Sequence, residues 1–402
     1  MEKVLLLASV SSMIESFNQD NIKILQDNGY EVHVMANFYE RDQKKNDKNN
    51  KFKDRLEQKN VIVYDLLIQR DPFSKTNLLV YRQIKEIFKK ERYSLIHCHT
   101  PMGGVLGRLA SRETKKYGTH VIYTAHGFHF YKGAPKKNWL IYYTIEKTLS
   151  SLTDCLITIN PEDYNNAKNK HFKTKDIQII KGVGINLNRF SPTTDLKRKK
   201  LRKKYGFSDE DMLLIYVGEL SKRKNQSQAI YMMKRLVEKS PQAKLLLVGD
   251  GQYDKEYMEM IQELNLTDNV FLLGFRTDIP ELMSLSDIAI STSRQEGLPV
   301  NVMEAMATGL PLVVTDCRGN RDLIHDGING YVVQIDDYEG MAAKISKLIQ
   351  NEVLRITFGI RNTVFITPYE IENVSPQMNI IYQKHIGSNS FPDLPLNNKP
   401  QM

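Results

Sequence analysis

The chain has 402 residues, 41% of them hydrophobic and 26% charged, with a formal net charge of +9 at pH 7. A single hydrophobic core rarely grows to that size, so two domains are expected. No apolar run approaches the ~18 residues that span a bilayer, and the composition is that expected of an ordinary soluble protein.

The first residues, MEKVLLLASVSSM, lack the basic start, long apolar stretch and small-residue cleavage site of a secretory signal, and read as a first β-strand. The predicted strands of the first half are Val4–Ala8, Glu31–Met35, Val61–Tyr64, Leu95–Cys98, His120–Thr124, Cys155–Ile159 and Ile177–Ile180. Within it, the basic segment 42–55 (DQKKNDKNNKFKDR) reads as a mobile loop leading into a helix. A domain boundary falls near 184–210, where a turn-rich stretch gives way to a basic run; Lys197–Lys204 reads as a solvated helix face rather than a binding patch. The second half offers Leu213–Val217, Lys244–Val248, Val270–Leu273, Ile288–Ser291, Leu312–Thr315 and Tyr331–Val333. Residues 369–386 have helical spacing, and the Pro- and Asn-rich end reads as disordered.

These strands are Val/Ile/Leu-rich without strict alternation, as strands buried on both faces of a parallel sheet are. With helical patterns between them, the fold class is α/β, the pattern appearing twice. The expected division is 1–185, 186–368, a C-terminal helix 369–388 and a disordered tail 389–402. Cys98, Cys155 and Cys317 are far apart, lack metal-ligand spacing and read as buried or free thiols of a reducing cytoplasm. The positive charge favours an anionic partner; nucleic acid, anionic lipid and nucleotide phosphate all qualify.

Three segments carry chemistry. The first is STSRQEGLPVNVMEAMATGLPLVVT, 291–315, which reads as strand, tight loop, short helix and strand. Pro299 suits a first helical turn and Gly309 a C-terminal stop. Glu304 then lies inside the helix and Glu296 in the loop before it. A carboxylate accepts two hydrogen bonds, which suits the vicinal hydroxyls of a ribose or a hexose. The amides from Leu298 to Asn301, at a helix N-terminus, favour a diphosphate. The second segment is VGELSKRKNQ, 217–226. Gly218 permits a tight turn after a strand, and Lys222, Arg223 or Lys224 can neutralise phosphates at the edge where open α/β sheets bind ligands; the alternative is a charged loop. The third is YTAHGFHFYKGAPKKNW, 123–139. His126 follows a strand and can donate to a phosphate or a hydroxyl, whereas His129 reads as structural. Phe128, Phe130, Tyr131 and Trp139 with Lys132, Lys136 and Lys137 form an amphipathic cationic stretch, either a membrane-facing surface or a core helix with a polar edge.

Together these segments resemble family 4 of the retaining glycosyltransferases. The resemblance extends to LLLVGDGQ (245–252), VFLLGF (270–275), LSDIAIS (285–291) and DLIHDGINGYVV (322–333). HGFHFYKG and the form of VGELSKRKNQ resemble the capsule and exopolysaccharide branch. The resemblance implies the GT-B architecture, two Rossmann-like domains facing across a cleft, an acceptor-binding domain first and a nucleotide-sugar domain second. By resemblance, Glu304 would hold the ribose and Glu296 the donor sugar, with the amides of Gly297, Leu298 and Val300 around Pro299 nearby. Lys224, beside Gly218 and Arg223, matches the phosphate-binding lysine. Gly274 and Phe275 would approach the base, and His126 the sugar–phosphate junction. His126, Lys224 and Glu296 are the expected catalytic residues, and the 369–386 helix would cross back onto the first domain. The chain departs from the family pattern at Glu219, where many members carry an arginine that Arg223 or Lys222 would have to replace. It departs again at SVSSMIESF (9–17), where Ser11 and Ser12 replace a Gly-Gly loop.

No Asp-x-Asp stands in the strand context of a metal-dependent transferase, so no metal and no cofactor beyond the UDP-sugar co-substrate is expected. The implied reaction moves a hexosyl or N-acetylhexosaminyl group to a polyprenyl-diphosphate-linked saccharide. The protein would lie in the cytoplasm, peripheral on the inner face of the cell membrane at an anionic lipid surface, with no nucleic acid partner. A UDP-sugar 2-epimerase of related fold is the alternative enzyme, and a basic nucleic-acid-binding protein the alternative without catalysis.

Overall fold

A computed structural model describes residues 1–40 and 43–386; the expected tail, 389–402, lies outside them. The chain divides into two compact units, one from Met1 to Val183 joined by the chain from Ser375, the other Gly184–Val374.

The first unit holds seven strands: β1 (Lys3–Leu7), β2 (Glu31–Ala36), β3 (Ile62–Asp65), β4 (Leu95–His99), β5 (His120–Ala125), β6 (Cys155–Thr158) and β7 (Asp176–Ile179). They form one sheet in the order β3-β2-β1-β4-β5-β6-β7, and every pairing is parallel. Register places Leu5 opposite both His33 and Ile96. Parallel strands need crossover helices on both faces, so their apolar residues find cover on either side. Val4, Leu5, Leu6 and Leu7 are accordingly all inaccessible to solvent, each such burial worth about 1.5–3 kcal/mol.

The second unit holds β8 (Met212–Val217), β9 (Ala243–Val248), β10 (Val270–Leu272), β11 (Ile288–Ser291), β12 (Leu312–Thr315) and β13 (Gly330–Val333). Its order is β10-β9-β8-β11-β12-β13, again all parallel. In each sheet the winding reverses next to the unit's first strand, between β1 and β4 and between β8 and β11. Open α/β sheets bind ligands at the carboxyl ends of such strands.

Three expectations need correction. The basic segment after residue 42 is helical from Gln43, in a helix that runs to Gln58; Asn46, Asp47, Asn49 and Asn50, weak helix formers, hide the start. The basic run is a helix, Asp195–Tyr205, capped by the Thr194 side chain and stopped at Gly206 with φ +79°, but not all of it is solvated. Arg202 is buried and bonds Asp287 at 2.6 Å and the carbonyls of Leu285, Asp209 and Asp211. The aromatic segment is neither a helix nor wholly a surface: Phe128 and Phe130 stack at 4.5 Å in the first unit's core, and helix begins only at Lys136.

The C-terminal helix, Ile371–Ile386, is tied to the first sheet by Tyr382, whose hydroxyl meets His97 Nδ1 at 2.8 Å, and by Lys384 on Asp176 at 2.7 Å. Near that second tie, Cys155, Asp176 and His385 place ligand-type atoms within 4.8 Å of one another, a grouping that linear spacing conceals. All three cysteines are free and buried.

Close backbone contact fixes the helix after Glu296. Helix Val300–Ala307 ends at Gly309, φ +79°, whose carbonyl oxygen would stand 2.2 Å from a Cβ added at Gly359. Gly359 lies inside helix Glu352–Ile366, so a methyl there forces two backbones apart. Gly359→Ala should therefore destabilise the second unit by about 1–3 kcal/mol, as overpacking does. A urea titration followed by circular dichroism should show the shifted midpoint.

Candidate active site

In the second unit, β8 runs into Gly218 and a loop that presses on its neighbour. Gly218 N donates to Val248 O at 2.8 Å and Leu220 N to Asp250 O at 3.0 Å. A Cβ at Gly249 would lie 2.1 Å from Gly218 O, and one at Gly251 2.1 Å from Leu220 O. Neither glycine has room for a side chain. The loop turns at Asn225, φ +56°, into helix Gln226–Val237.

Two buried hydroxyls hold the turn. Tyr216 Oη donates to Lys224 O at 2.7 Å, and Thr292 Oγ1 to the carbonyls of Lys224 (3.1 Å) and Asn225 (2.8 Å). The Lys224 backbone is thereby fixed to β8 and to the end of β11. Its ammonium donates to Glu296 Oε1 at 2.7 Å, and Ser293 Oγ donates to the same oxygen at 2.7 Å. Arg223 Nη1 lies 3.1 Å from Glu296 Oε2 and donates to Gln295 O at 3.1 Å. Burial by itself would push the Glu296 carboxyl up, but Lys224 and Arg223 outweigh it and hold it below the usual carboxylate range. The loop is anchored on its far side by buried Arg318, whose Nε donates to Glu296 O at 3.0 Å.

Glu304 is in a different state. It sits in helix Val300–Ala307, and among the described residues its carboxyl has no hydrogen-bond or ion-pair partner. Burial pushes it up to about 7, opposed only by the more distant charge of Arg189. Pro299 occupies the N-cap and has no N–H, so the available donors of this loop are the amides of Gly297, Leu298, Val300 and Asn301. Among the described residues none of the four donates to the protein. Asn301 Nδ2 ties the helix start to β8 through Val217 O at 2.8 Å.

Gly274, φ +64°, accepts from Gly249 N at 2.9 Å, next to Phe275, which is 60% exposed. Of the two candidates to replace the arginine absent at Glu219, Arg223 reaches Glu296, whereas Lys222 is exposed and makes no ion pair among the described residues. His126 belongs to the first unit, after β5. Its Nε2 meets His99 Nδ1 at 3.0 Å, and burial lowers its pKa to about 4. His129 stacks on Tyr142 at 4.5 Å, in keeping with a structural role.

Sequence reading thus missed Tyr216, Thr292, Ser293 and Arg318, which shape the Lys224–Glu296 pair, and His99, which contacts His126. Ser293 and Thr292 lay within the motif, and position after β12 could have flagged Arg318. Tyr216 looked like any strand residue.

The profile of the family described as Glycosyl transferases group 1 matches residues 197–363, and that of Glycosyl transferase 4-like matches residues 3–160. Over 347 residues the chain is 41% identical to EpsD of Bacillus subtilis (strain 168), named provisionally as a glycosyltransferase, covering 86% of this chain and 87% of that one. It is 30% identical over 278 residues to the UDP-Gal:alpha-D-GlcNAc-diphosphoundecaprenol alpha-1,3-galactosyltransferase of Escherichia coli, covering 67% and 70%. The crystal structure of Anabaena Alr3699/HepE in complex with UDP and glucose superposes with a TM-score of 0.77 at 21% identity, covering 96% of this chain and 100% of that chain, a likeness of fold. The chain belongs to the family 4 glycosyltransferases, enzymes built from two Rossmann-like domains.

The Lys224–Glu296 pair makes a direct prediction. Lys224→Met leaves a buried carboxylate with Arg223 as its one remaining cation, and removing one partner of a buried pair costs about 3–5 kcal/mol. Because the folded-state pKa of Glu296 is depressed, its favourable contribution is present above the unfolded value of 4.5 and is lost as pH falls through the folded value. Urea denaturation should show a large deficit for Lys224→Met at pH 7 that narrows toward pH 4.

Proposed function

We propose that this protein transfers a hexosyl or N-acetylhexosaminyl group, with retention of configuration, from a UDP-sugar to a polyprenyl-diphosphate-linked saccharide in exopolysaccharide or capsule synthesis. The observation that carries this reading is the buried Lys224–Glu296 pair, flanked by the exposed Arg223, beside four loop amides that donate to nothing among the described residues. The cluster holds two cations and one carboxylate, so it keeps one positive charge for an anionic ligand. The name of the Escherichia coli relative supports the acceptor class, and that of the capsular polysaccharide biosynthesis glycosyltransferase CapM of Staphylococcus aureus, 24% identical over 364 residues, supports the polymer context.

In this reading Glu304 accepts from the ribose hydroxyls and Glu296 from hydroxyls of the transferred sugar. Lys224, with the amides of Gly297, Leu298 and Val300, stabilises the charge that develops on the diphosphate as the glycosidic bond breaks. Such fixed donors need no reorganisation during the reaction. The acceptor hydroxyl attacks from the face the diphosphate leaves, and its proton passes to the departing phosphate oxygen. His126 acts at the sugar–phosphate junction. Gly274 and Phe275 border the base.

For the membrane-bound acceptor, the reading includes docking at an anionic lipid surface. Leu140 is 75% and Ile141 41% exposed beside exposed Lys132, Lys136 and Lys137, a combination suited to an interface. No helix among the described residues is long and apolar enough to cross a membrane.

The test is a UDP-release screen across common UDP-sugars with a lipid-linked saccharide acceptor. Release should appear with a single donor or a small set, and Glu304→Ala should weaken binding of that donor by about 1.5–3 kcal/mol for each charged hydrogen bond lost. No release with any donor from folded protein would end the proposal. An epimer formed from UDP-GlcNAc alone would replace it with the epimerase reading.

A pH dependence follows from Glu304. Below about pH 7 its carboxyl keeps its proton, and above it the carboxyl is the anion to which a hydroxyl donates more strongly. Affinity for the UDP-sugar identified in the screen should rise from pH 6 to pH 8 in calorimetry, and Glu304→Gln should flatten that rise.

A further inference from the structure

The first unit's sheet reverses between β1 and β4, and the carboxyl end of β4 there is strained. Thr100, immediately after the strand, has φ +64° and ψ 154°. A β-branched residue at positive φ is a true outlier, and such strain persists only where the surroundings enforce it. Here the Thr100 hydroxyl oxygen accepts from Ser9 N at 2.9 Å, locking β4 to the loop after β1, and from Gly103 N at 3.3 Å. A Cβ at Gly103 would lie 2.9 Å from that oxygen and 3.1 Å from Ala8 Cα, so the approach depends on glycine.

What this holds in place is His99. Its ring lies 4.1 Å, centroid to centroid, from that of His97, which is itself fixed by the Tyr382 hydroxyl at 2.8 Å and Thr124 Oγ1 at 2.7 Å. His99 is 2% exposed. Its Nδ1 meets His126 Nε2 at 3.0 Å, and its Nε2 is buried without a partner among the described residues.

That orphan atom decides which nitrogen carries the proton. Were the hydrogen on His99 Nε2, a donor would be buried and unpaired, and orphaned buried N–H groups are rarer and more costly than under-used acceptors. With the hydrogen on His99 Nδ1, the orphan is only a lone pair and Nδ1–H donates to His126 Nε2. A neutral His126 must then carry its own hydrogen on Nδ1. That atom makes no hydrogen bond among the described residues, and the ring is partly exposed.

The geometry points to His99 as the positioning residue for His126: it fixes the Nδ1–H tautomer and ring angle, so that His126 presents a neutral hydrogen-bond donor to an oxygen of the substrate. This rests on the proposed transfer reaction for its consequence in turnover, but the tautomer can be read without any substrate. Outer partners that orient a functional histidine matter by about 10–100-fold when removed, by analogy with metal-bound histidines.

Three variants separate this role from simple packing. Asparagine places an amide nitrogen where the His99 Nδ1 was, glutamine places one nearer the Nε2, and leucine offers none. Long-range 15N–1H spectra of histidine-labelled protein should show His126 as the Nδ1–H tautomer in the unaltered protein and in His99→Asn. In His99→Gln and His99→Leu the Nε2–H form should appear. With the donor and acceptor found by the release screen, kcat should fall about 10–100-fold in His99→Leu with donor KM changed less than threefold, and His99→Asn should recover to within about threefold. In a His126→Ala background, His99→Leu should cost less than twofold further. The Nε2–H tautomer at His126 in the unaltered protein would overturn the assignment. So would an unchanged tautomer and kcat in His99→Leu, or His99→Asn as impaired as His99→Leu at equal melting temperature. If no sugar transfer is found at all, the parent reading fails while the spectra still decide the tautomer.

Discussion

The second unit is organised around one carboxylate kept ionised in its interior. Glu296 is 8% exposed, and an isolated charge there would be expelled or neutralised. It stays charged because Lys224 meets it at 2.7 Å, and Lys224 is there because Tyr216 and Thr292 hold its carbonyl. The hydroxyls fix the backbone, the backbone aims the ammonium, and the ammonium retains the carboxylate. Arg223 and Ser293 complete the set, leaving each Glu296 oxygen with at least one partner. A loop carrying such a network has few alternative conformations, since any other arrangement strands a buried charge.

The same loops are held by backbone contact as much as by charge. Gly249 and Gly251 bring one strand-end loop against the carbonyls of Gly218 and Leu220, and Gly319 brings another within 2.9 Å of Gly297 O, measured from where its Cβ would stand. These contacts leave the amides after Glu296 directed away from the protein's own acceptors. The two glutamates of one motif then differ sharply in electrostatics. Glu296 sits among cations and lies below its ordinary pKa, while Glu304, eight residues on and without a partner among the described residues, is pushed up to about 7. Environments that drive paired carboxyls apart mark separate tasks.

Periodicity located every strand of both sheets: inner strands buried on two faces leave apolar runs, and the partly exposed edge strands β3 and β7 stand out as short runs between helical stretches. The motif also delivered Lys224, Arg223 and Glu296 to one place. Other features were hidden because they depend on tertiary partners. Arg202 reads as one more solvated cation in a basic run, yet it is buried on Asp287, which is 85 residues away in sequence. Phe128 and Phe130 sit among lysines in sequence and in the core in space. Cys155, Asp176 and His385 converge only because β6 and β7 begin, side by side, where the final helix ends. His99 was the hardest to see: it falls at the end of an apolar run and acts on a residue brought alongside by the β4–β5 register, where His99 pairs with Thr124.

Each sheet reverses beside its first strand, and each crevice is furnished differently. In the second unit the crevice between β8 and β11 is lined by an ion cluster with cations in excess. In the first, the crevice between β1 and β4 is bordered by His99 and His126, whose burial keeps both below their ordinary pKa and therefore neutral near pH 7. The difference is chemical, since the topology is the same. A crevice with surplus positive charge favours an anion such as a diphosphate, where charge-assisted bonds are strongest. A neutral ring with one fixed N–H suits an uncharged oxygen, to which it offers a directed hydrogen bond without the cost of burying a cation. For the proposed reaction, burial of the histidines and pairing of the glutamate are complementary: one unit suppresses charge where an oxygen would be oriented, and the other concentrates it where charge would develop.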